Sequence, residues 1–295
     1  MKNKKFRLIC LVFAIVGICL ATIGFLTGGN TQSYIDLNGI HFEKFETQTI
    51  SNNPIGEFYD IEIDVSSAKV SVLRGDDYKI EIENTAVPAI SYKLEGKKLV
   101  VSQGKDFIWY LFFGGFTSNS VNIYVPEDAQ INTVTSDMSA GSINVNDITC
   151  DYFYSNLTSG SVHINNVAAT EFKSEMTSGS LTVDGLESDN MDVSLTSGKV
   201  EAKNVTTREL FNFDMTSGYM SLEGKLNGKI KSNITSGSAD LFLQGNAADY
   251  SRVINVTSGS VKVNGLKQEG SFISPSAKNS VEIDMTSGSF NIQFE

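Results

Sequence analysis

Residues 138–145 read MSAGSINV, residues 157–164 read LTSGSVHI and residues 176–183 read MTSGSLTV. The phrase that opens each, apolar-Thr-Ser-Gly-Ser with small variations, returns eight times between residues 138 and 289. Its glycines are Gly141, Gly160, Gly179, Gly198, Gly218, Gly237, Gly259 and Gly288, at intervals of 19, 19, 19, 20, 19, 22 and 29 residues. A period of that size is the mark of a solenoid. Each unit is too small to bury its apolar face alone and does so against its neighbours.

The unit around Gly179 shows how one turn is built. Phe172, Ser174 and Met176 precede it with period two, Leu181 and Val183 follow, and Asp184-Gly185-Leu186 closes the unit. Such alternation marks a strand with one buried face. Met176 and Leu181 are an odd number of residues apart, so inward parity cannot run straight through Thr-Ser-Gly. The chain turns there, and glycine supplies the permissive backbone. Each repeat therefore reads as two short strands, a corner at Thr-Ser-Gly and a second turn rich in Asn, Asp and Gly, such as Asn165-Asn166 or Asn264-Gly265.

The inward rows hold along the array. Seven residues before the glycines stand Val134, Phe153, Phe172, Met191, Phe211, Ile230 and Val281, with Arg252 as the exception. Three before stand Met138, Leu157, Met176, Leu195, Met215, Ile234, Val256 and Met285, and the positions two and four after are apolar throughout. Ser155, Ser174 and Ser232 share the inward parity and are expected to bond to backbone. Equivalent residues stacking on one another favour a parallel coil over a run of hairpins.

Upstream the register continues in degenerate form. Ile61, Ile63 and Val65 precede Ser66-Ser67-Ala68, Val70 and Val72 follow, and Ala68 takes the glycine slot. Residues 78–83, 90–94, 98–102 and 120–125 also read as strands, so the β region begins near residue 58. The interval 107–116, FIWYLFFGGF, breaks the pattern. Phe107, Ile108, Trp109, Tyr110, Leu111, Phe112, Phe113 and Phe116 form either a cap on the open end of the rod or a surface that touches the bilayer or a partner. Gly245–Arg252 and Gly265–Lys278 carry the extra residues of the last intervals and are expected as loops.

Residues 8–26 contain no charge and follow Lys2, Lys4, Lys5 and Arg7. At ~1.5 Å per residue this stretch reaches about 28 Å, enough for a bilayer core of roughly 30 Å. The preceding basic residues place residues 1–7 in the cytoplasm and everything after about residue 27 outside. A cleaved signal peptide is the competing reading, but no small-x-small site follows Leu26. A lipoprotein signal fits poorly because Ile18 precedes Cys19. Residues 27–57 read as a tether and lead-in.

Without the four N-terminal basic residues, 19 basic residues face 34 acidic ones, a net charge of −15. Such a surface repels phosphate backbones and argues against nucleic acid as a partner. Cys10 and Cys19 lie in the apolar stretch, which leaves Cys150 alone and no internal disulfide for the rest. His41 and His163 give no metal-ligand spacing, and no Gly-x-Ser-x-Gly, Walker or dinucleotide pattern occurs. No cofactor, metal or catalytic residue is expected.

One outward row is polar throughout. Four residues before each glycine stand Asp137, Asn156, Glu175, Ser194, Asp214, Asn233, Asn255 and Asp284, beside a row of threonines from Thr158 to Thr286. These side chains can satisfy one another and keep the face wet. An acid and base pair for glycan cleavage would need clustered carboxylates, whereas this row mixes acids with amides and a serine.

The early strand pair Ile61–Leu73, the phrase Val121-Asn122-Ile123-Tyr124-Val125-Pro126-Glu127-Asp128 and the tandem Thr-Ser-Gly-Ser-Val-x-Val units resemble the bacterial β-strand-repeat "putative adhesin" family of unknown function, to which LiaG-like proteins of Gram-positive bacteria belong. The resemblance covers residues 58–295. It implies a membrane-attached envelope protein, in some members linked to cell-envelope stress operons, and carries over no catalytic residue.

The expectation is an all-β chain: a single parallel β-solenoid of ~19–20 residues per coil behind one transmembrane helix. Degenerate coils fill 58–130 and regular ones 131–295. In function it is a non-enzymatic, single-pass envelope protein, whose partners are the membrane and a cell-wall polymer or envelope protein. The alternatives are a carbohydrate-active β-helix enzyme and a membrane-side regulator of a sensor kinase.

Overall fold

The computed structural model describes residues 12–13, 15–20, 22, 31–36, 39–44, 47–52, 54–85, 89–104, 109–111 and 119–295. Nearly all of it is strand. In chain order the strands are β1 (Thr31–Asp36), β2 (Gly39–Lys44), β3 (Gln48–Asn52), β4 (Asp60–Gly75), β5 (Lys79–Asn84), β6 (Ile90–Glu95), β7 (Lys98–Gln103), β8 (Trp109–Leu111), β9 (Ser120–Pro126) and β10 (Ile131–Asn146). They continue with β11 (Thr149–Met215), β12 (Tyr219–Leu226), β13 (Lys229–Ile234), β14 (Ser238–Leu243), β15 (Tyr250–Val256), β16 (Ser260–Val263), β17 (Leu266–Lys267), β18 (Gly270–Phe272), β19 (Asn279–Met285) and β20 (Ser289–Phe294).

Parallel pairing joins equivalent residues of successive repeats, as the period requires. Phe153 lies beside Val134, Leu157 beside Met138 and Val162 beside Ile143. The degenerate coil of β4 stacks in the same register, with Ala68 beside Gly141 and Val65 beside Met138. The inward rows form the core. Met176 and Leu181, on either side of the corner, are both buried, and the rings of Phe153 and Phe172 stack at 4.8 Å with 7° between their planes. Two further inward rows lie past the second turn: Ile148, Val167, Leu186 and Val205, then Cys150, Ala169, Ser188 and Thr207.

The glycine corner is required twice over. Gly160 has φ +132 and Gly288 has φ +119, both in the region that side chains disfavour. A Cβ at either would run into the carbonyl oxygen of the glycine one coil below, Gly141 or Gly237 respectively. Ala68 can keep its methyl because the stack of corners ends there. The amides of Ser66 and Ser67 donate to the Gln103 side-chain oxygen at 2.9 and 3.2 Å. The corresponding amides of a regular coil, Thr235 and Ser236, donate to backbone carbonyls of Met215 and Thr216.

The coils do not stack in chain order at the far end. β13 and β14 pair with β19 and β20, and these pair in turn with β15 and β16. The last coil of the sequence, 279–294, is thus inserted between the coil of 229–243 and the coil of 250–263. Contacts of the corner glycines follow the same order, from Gly237 to Gly288 to Gly259.

Antiparallel strands close both ends. β3 pairs with β5, β5 with β9 and β6 with β7 at one end. At the other, β17 and β18 pair back onto β16 and β15. Short, turned-back edge strands are one way in which a long sheet avoids presenting a flat template to other chains.

Several expectations are corrected, and one, the span of 8–26, lies largely outside the described residues. Residues 27–57 are more than a tether, since β1, β2 and β3 lie within them. The expected span of 8–26 is described at 12–13, 15–20 and 22, all helical, and the rest of it lies outside the described residues. Among the described residues, no helix is long and apolar enough to cross a membrane. The expected loop Gly245–Arg252 ends earlier, at β15. Arg252 there keeps the inward register: it is buried, its Nη1 donates to the Ala247 carbonyl at 2.7 Å, and its guanidinium lies 4.2 Å from the Phe272 ring centre. The expected loop Gly265–Lys278 holds β17 and β18. Of the inward serines, Ser155 and Ser174 bond to each other at 2.9 Å rather than to backbone, and the Ser232 hydroxyl has no partner among the described residues.

Candidate functional site

Beside the corners, the polar row and the threonine row enclose a groove that follows the rod axis. The parity that buries Met176, Leu195 and Met215 turns the residue before each of them outward, and the Thr-Ser-Gly corner brings the following threonine alongside. One stretch of the groove, of about 380 Å³, is lined by Asn156, Glu175, Ser194, Asp214 and Asn233 together with Thr177, Thr196, Thr216 and Thr235. A second stretch, of about 490 Å³, shares Asn233 and Thr235 and continues past Asp284 and Thr286 to Asn255 and Thr257. Together they pass seven coils. At ~4.8 Å between parallel strands this is a channel about 29 Å long.

The inserted coil gives the row a regularity that chain order hides. In space it runs Asp137, Asn156, Glu175, Ser194, Asp214, Asn233, Asp284, Asn255, so that an acid and a neutral residue alternate over these eight coils, the pattern ending where Asp64 of the β4 coil lies beside Asp137. From Asp137 to Asp284 the carboxylates therefore sit two coils apart, about 9.6 Å, instead of facing one another at ~4.8 Å. The amides between them act as donors: Asn233 Nδ2 donates to Asp214 Oδ1 at 2.6 Å, and Asn255 Nδ2 to Asp284 Oδ1 at 2.8 Å. No lysine or arginine lines either stretch.

Glu175 is engaged at both of its carboxylate oxygens. Lys173 Nζ lies 2.8 Å from its Oε1, and the Tyr154 hydroxyl donates to its Oε2 at 2.9 Å. Lys173, and then Tyr154, hold its carboxyl below the ordinary value, while burial and then that hydrogen bond push the Tyr154 hydroxyl up to about 12. A general acid for glycoside cleavage needs a raised carboxyl, so Glu175 is shifted in the wrong direction for that role. What the groove offers is a repeating set of acceptors, amide donors and hydroxyls at one-coil spacing, suited to hydrogen bonding along an extended molecule.

Asp137, Glu175 and Asp214 share this row, yet Asn156 and Ser194 keep them apart. The corner glycines Gly141, Gly160, Gly179, Gly198, Gly218, Gly237, Gly288 and Gly259 form a backbone ladder with no side chain to offer. Of the aromatic interval, Trp109, Tyr110 and Leu111 form β8 beside β1, whereas Phe107, Ile108, Phe112, Phe113 and Phe116 lie outside the described residues. His163 bonds to Ser161 on an exposed strand, and among the described residues no three His, Cys, Asp or Glu come together as metal ligands. Burial, then Asp151, pushes the Cys150 thiol up to about 12, which leaves it unreactive. Sequence reasoning missed Glu269 and Gly270, which reach the groove from the 264–278 segment. That segment lacks the period, so nothing in it signals where it folds back.

Residues 58–293, which hold every parallel coil and the whole groove, match the Toastrack DUF4097 family. The chain belongs to that family. Among solved structures, this Toastrack chain is similar to a "putative adhesin" from Bacteroides fragilis at a TM-score of 0.53 and 13% identity, covering 83% of this chain and 97% of that one. A "putative lipid binding protein" from Parabacteroides distasonis aligns at a TM-score of 0.49 and 14% identity over 85% and 97% of the two chains. A "putative adhesin" from the same organism aligns at 0.45 and 11% over 85% and 97%. At such identities the likeness is one of fold. A search of curated proteins found no match.

Proposed function

We propose that this Toastrack protein is a non-enzymatic binding rod of the cell envelope, held to the membrane by its apolar N-terminal stretch and engaging an extended wall polymer or envelope protein along the groove. The observation that carries the reading is the groove itself. It is open, it repeats from coil to coil, and its length exceeds anything a small substrate would need. The uncharged stretch 8–26 behind four basic residues supports the anchor, and the adhesin names of proteins with this fold agree with a binding role.

The test uses the full-length protein in detergent and insoluble peptidoglycan stripped of anionic polymers. Co-sedimentation is expected, together with its loss in a Thr196→Arg, Thr216→Arg variant whose circular dichroism is unchanged. Both threonines are exposed on the groove wall, so the substitution fills the groove without touching the core. Binding that survives the double variant would remove the groove from the account. Release of soluble fragments from the polymer, abolished by neutralising Asp137, Glu175 or Asp214, would replace the binding role with an enzymatic one.

A further inference from the structure

The groove repeats at two intervals at once, and together they restrict what can lie in it. Its floor and one wall repeat at every coil. Met176, Leu195 and Met215 line the floor of the first stretch, and Ile234 and Met285 continue it in the second. The threonine wall, from Thr177 to Thr286, advances in the same step of ~4.8 Å. The opposite wall alternates acid and neutral residues, so it repeats only at every second coil, about 9.6 Å.

The antiparallel segment at the far end of the rod extends this alternation by one place. Gly270 pairs with Ile254, so the next position in that register sets Glu269 beside Asn255, and both line the second stretch. Neutral Asn255 is thus followed once more by an acid. The hydrogen-bonding chemistry keeps the same rhythm. An ionised carboxylate only accepts, at about four sites, whereas a side-chain amide also donates. Asp214 gives two of its sites to Asn212 and Asn233, at 3.1 and 2.6 Å, and keeps the rest for a ligand. A threonine hydroxyl serves donor and acceptor equally, so the other wall need not alternate.

Extended ligands differ in how they step. A β-strand peptide advances ~3.4 Å per residue and repeats its side chains every ~6.8 Å, out of phase with both intervals. A polyproline II peptide comes near two coils at three residues of ~3.1 Å, yet has no unit that matches a single coil. A polyanion would meet acids at every second coil and no lysine or arginine in the lining of either stretch. A β-1,4-linked glycan satisfies both intervals. Each pyranose ring advances the chain by nearly the rise of one coil, and successive rings are turned over, so the chain repeats at every second ring. The faces of a ring carry C–H groups and its rim carries hydroxyls, which suits an apolar floor between polar walls. Turning alternate rings over presents one edge and then the other to the same wall, in step with the acid–neutral order.

We infer that the groove binds a β-1,4-linked glycan strand, one ring per coil and one disaccharide per acid–neutral pair, with Glu269 at the end of the track. The inference rests on the groove binding proposed above and narrows its ligand to the sugar backbone of the wall.

The test is competition. Full-length protein in detergent is bound to insoluble peptidoglycan stripped of anionic polymers. Two soluble fractions are added in turn: glycan strands freed of their stem peptides by an amidase, and the peptides so released. The strands should displace the protein and the peptides should not. Cutting the strands to disaccharides with a muramidase should abolish the displacement, because a disaccharide spans two of the seven coils that the groove passes. Asp214→Asn interrupts the alternation without changing size. It should raise the strand concentration needed for half-displacement about tenfold, the loss of one hydrogen bond to a charged group. Displacement by the peptides alone, by neither fraction, or equally well by disaccharides overturns the inference and leaves binding at the groove standing. So does an unchanged requirement in Asp214→Asn. Protein that fails to sediment with the polymer, or sediments undiminished as the Thr196→Arg, Thr216→Arg variant, overturns groove binding itself.

Discussion

Gly288→Ala tests the corner ladder and the inserted coil together. The new Cβ would overlap the Gly237 carbonyl oxygen and lie 3.0 Å from its carbon and 3.1 Å from its nitrogen. The governing contact is the oxygen, 1.9 Å from the new carbon, and opening it to ~3.0–3.4 Å requires the coil to lift by about 1–1.5 Å. Three backbone bonds hold it down: Thr286 to Ile234 at 2.8 Å, Ser287 to Thr235 at 3.0 Å and Ser289 to Gly237 at 3.1 Å. Stretching all three to the limit of a hydrogen bond forfeits roughly 1 kcal/mol each, and φ +119 adds ~1–2 kcal/mol of strain for a residue with a Cβ. The matched control is Gly245→Ala, at φ +131 with nothing within 4 Å, where strain alone acts. Both variants gain the same restriction of the unfolded chain, so the difference between them isolates the overlap. Urea unfolding followed by far-ultraviolet circular dichroism should show Gly288→Ala less stable than Gly245→Ala by about 3 kcal/mol. Equal losses would refute the close stacking of the corners.

Two further predictions concern the polar row. Asn233→Asp puts three carboxylates side by side, at positions 214, 233 and 284; at ~4.8 Å and the dielectric constant of water each new neighbour costs about 0.9 kcal/mol. The loss of stability should therefore be roughly 1–2 kcal/mol at low salt and shrink as salt is added, a pattern that thermal melts across ionic strength would reveal. Glu175 sets the acid limit of the same row. Its carboxyl is lowered from 4.5 by Lys173 and then Tyr154, so its contribution is complete above that value and is lost as pH falls through the lower, folded-state value. The melting temperature should thus drop as pH falls below about 4.5, and Glu175→Gln should make that drop shallower. An unchanged pH profile in Glu175→Gln would show that the Lys173–Glu175–Tyr154 cluster carries no linkage.

The regular part of the fold was legible because its cause is local and repeats. Inward parity at Phe172, Met176 and Leu181 and the glycine corner at Gly179 are properties of single repeats, and stacking copies them. Even the exception in the inward row proved regular, since Arg252 is buried at its register position and satisfied in part by the Ala247 carbonyl. What the sequence did not disclose is which copy stacks on which. The repeats around Gly259 and Gly288 are nearly interchangeable in pattern, and their order is decided by neighbours distant in sequence, such as the Asp284 carboxylate seated between Asn233 and Asn255. The groove was half legible: its polar row was visible, its acid–neutral alternation was not, because that depends on the stacking order. The pairing of β1 with β8 joins residues more than seventy positions apart, and no periodic signal links them.

The stacking order is open to direct measurement through cysteine pairs on the exposed row. Positions 233 and 284 are register neighbours on adjacent parallel strands, within the Cα separation that a disulfide tolerates, whereas 233 and 255 stand two coils apart and beyond it. Mild oxidation of the full-length protein, followed by peptide mass mapping, should find a disulfide in Asn233→Cys, Asp284→Cys and none in Asn233→Cys, Asn255→Cys. The reverse result would mean that the repeats stack in chain order and that the alternating groove described above does not exist.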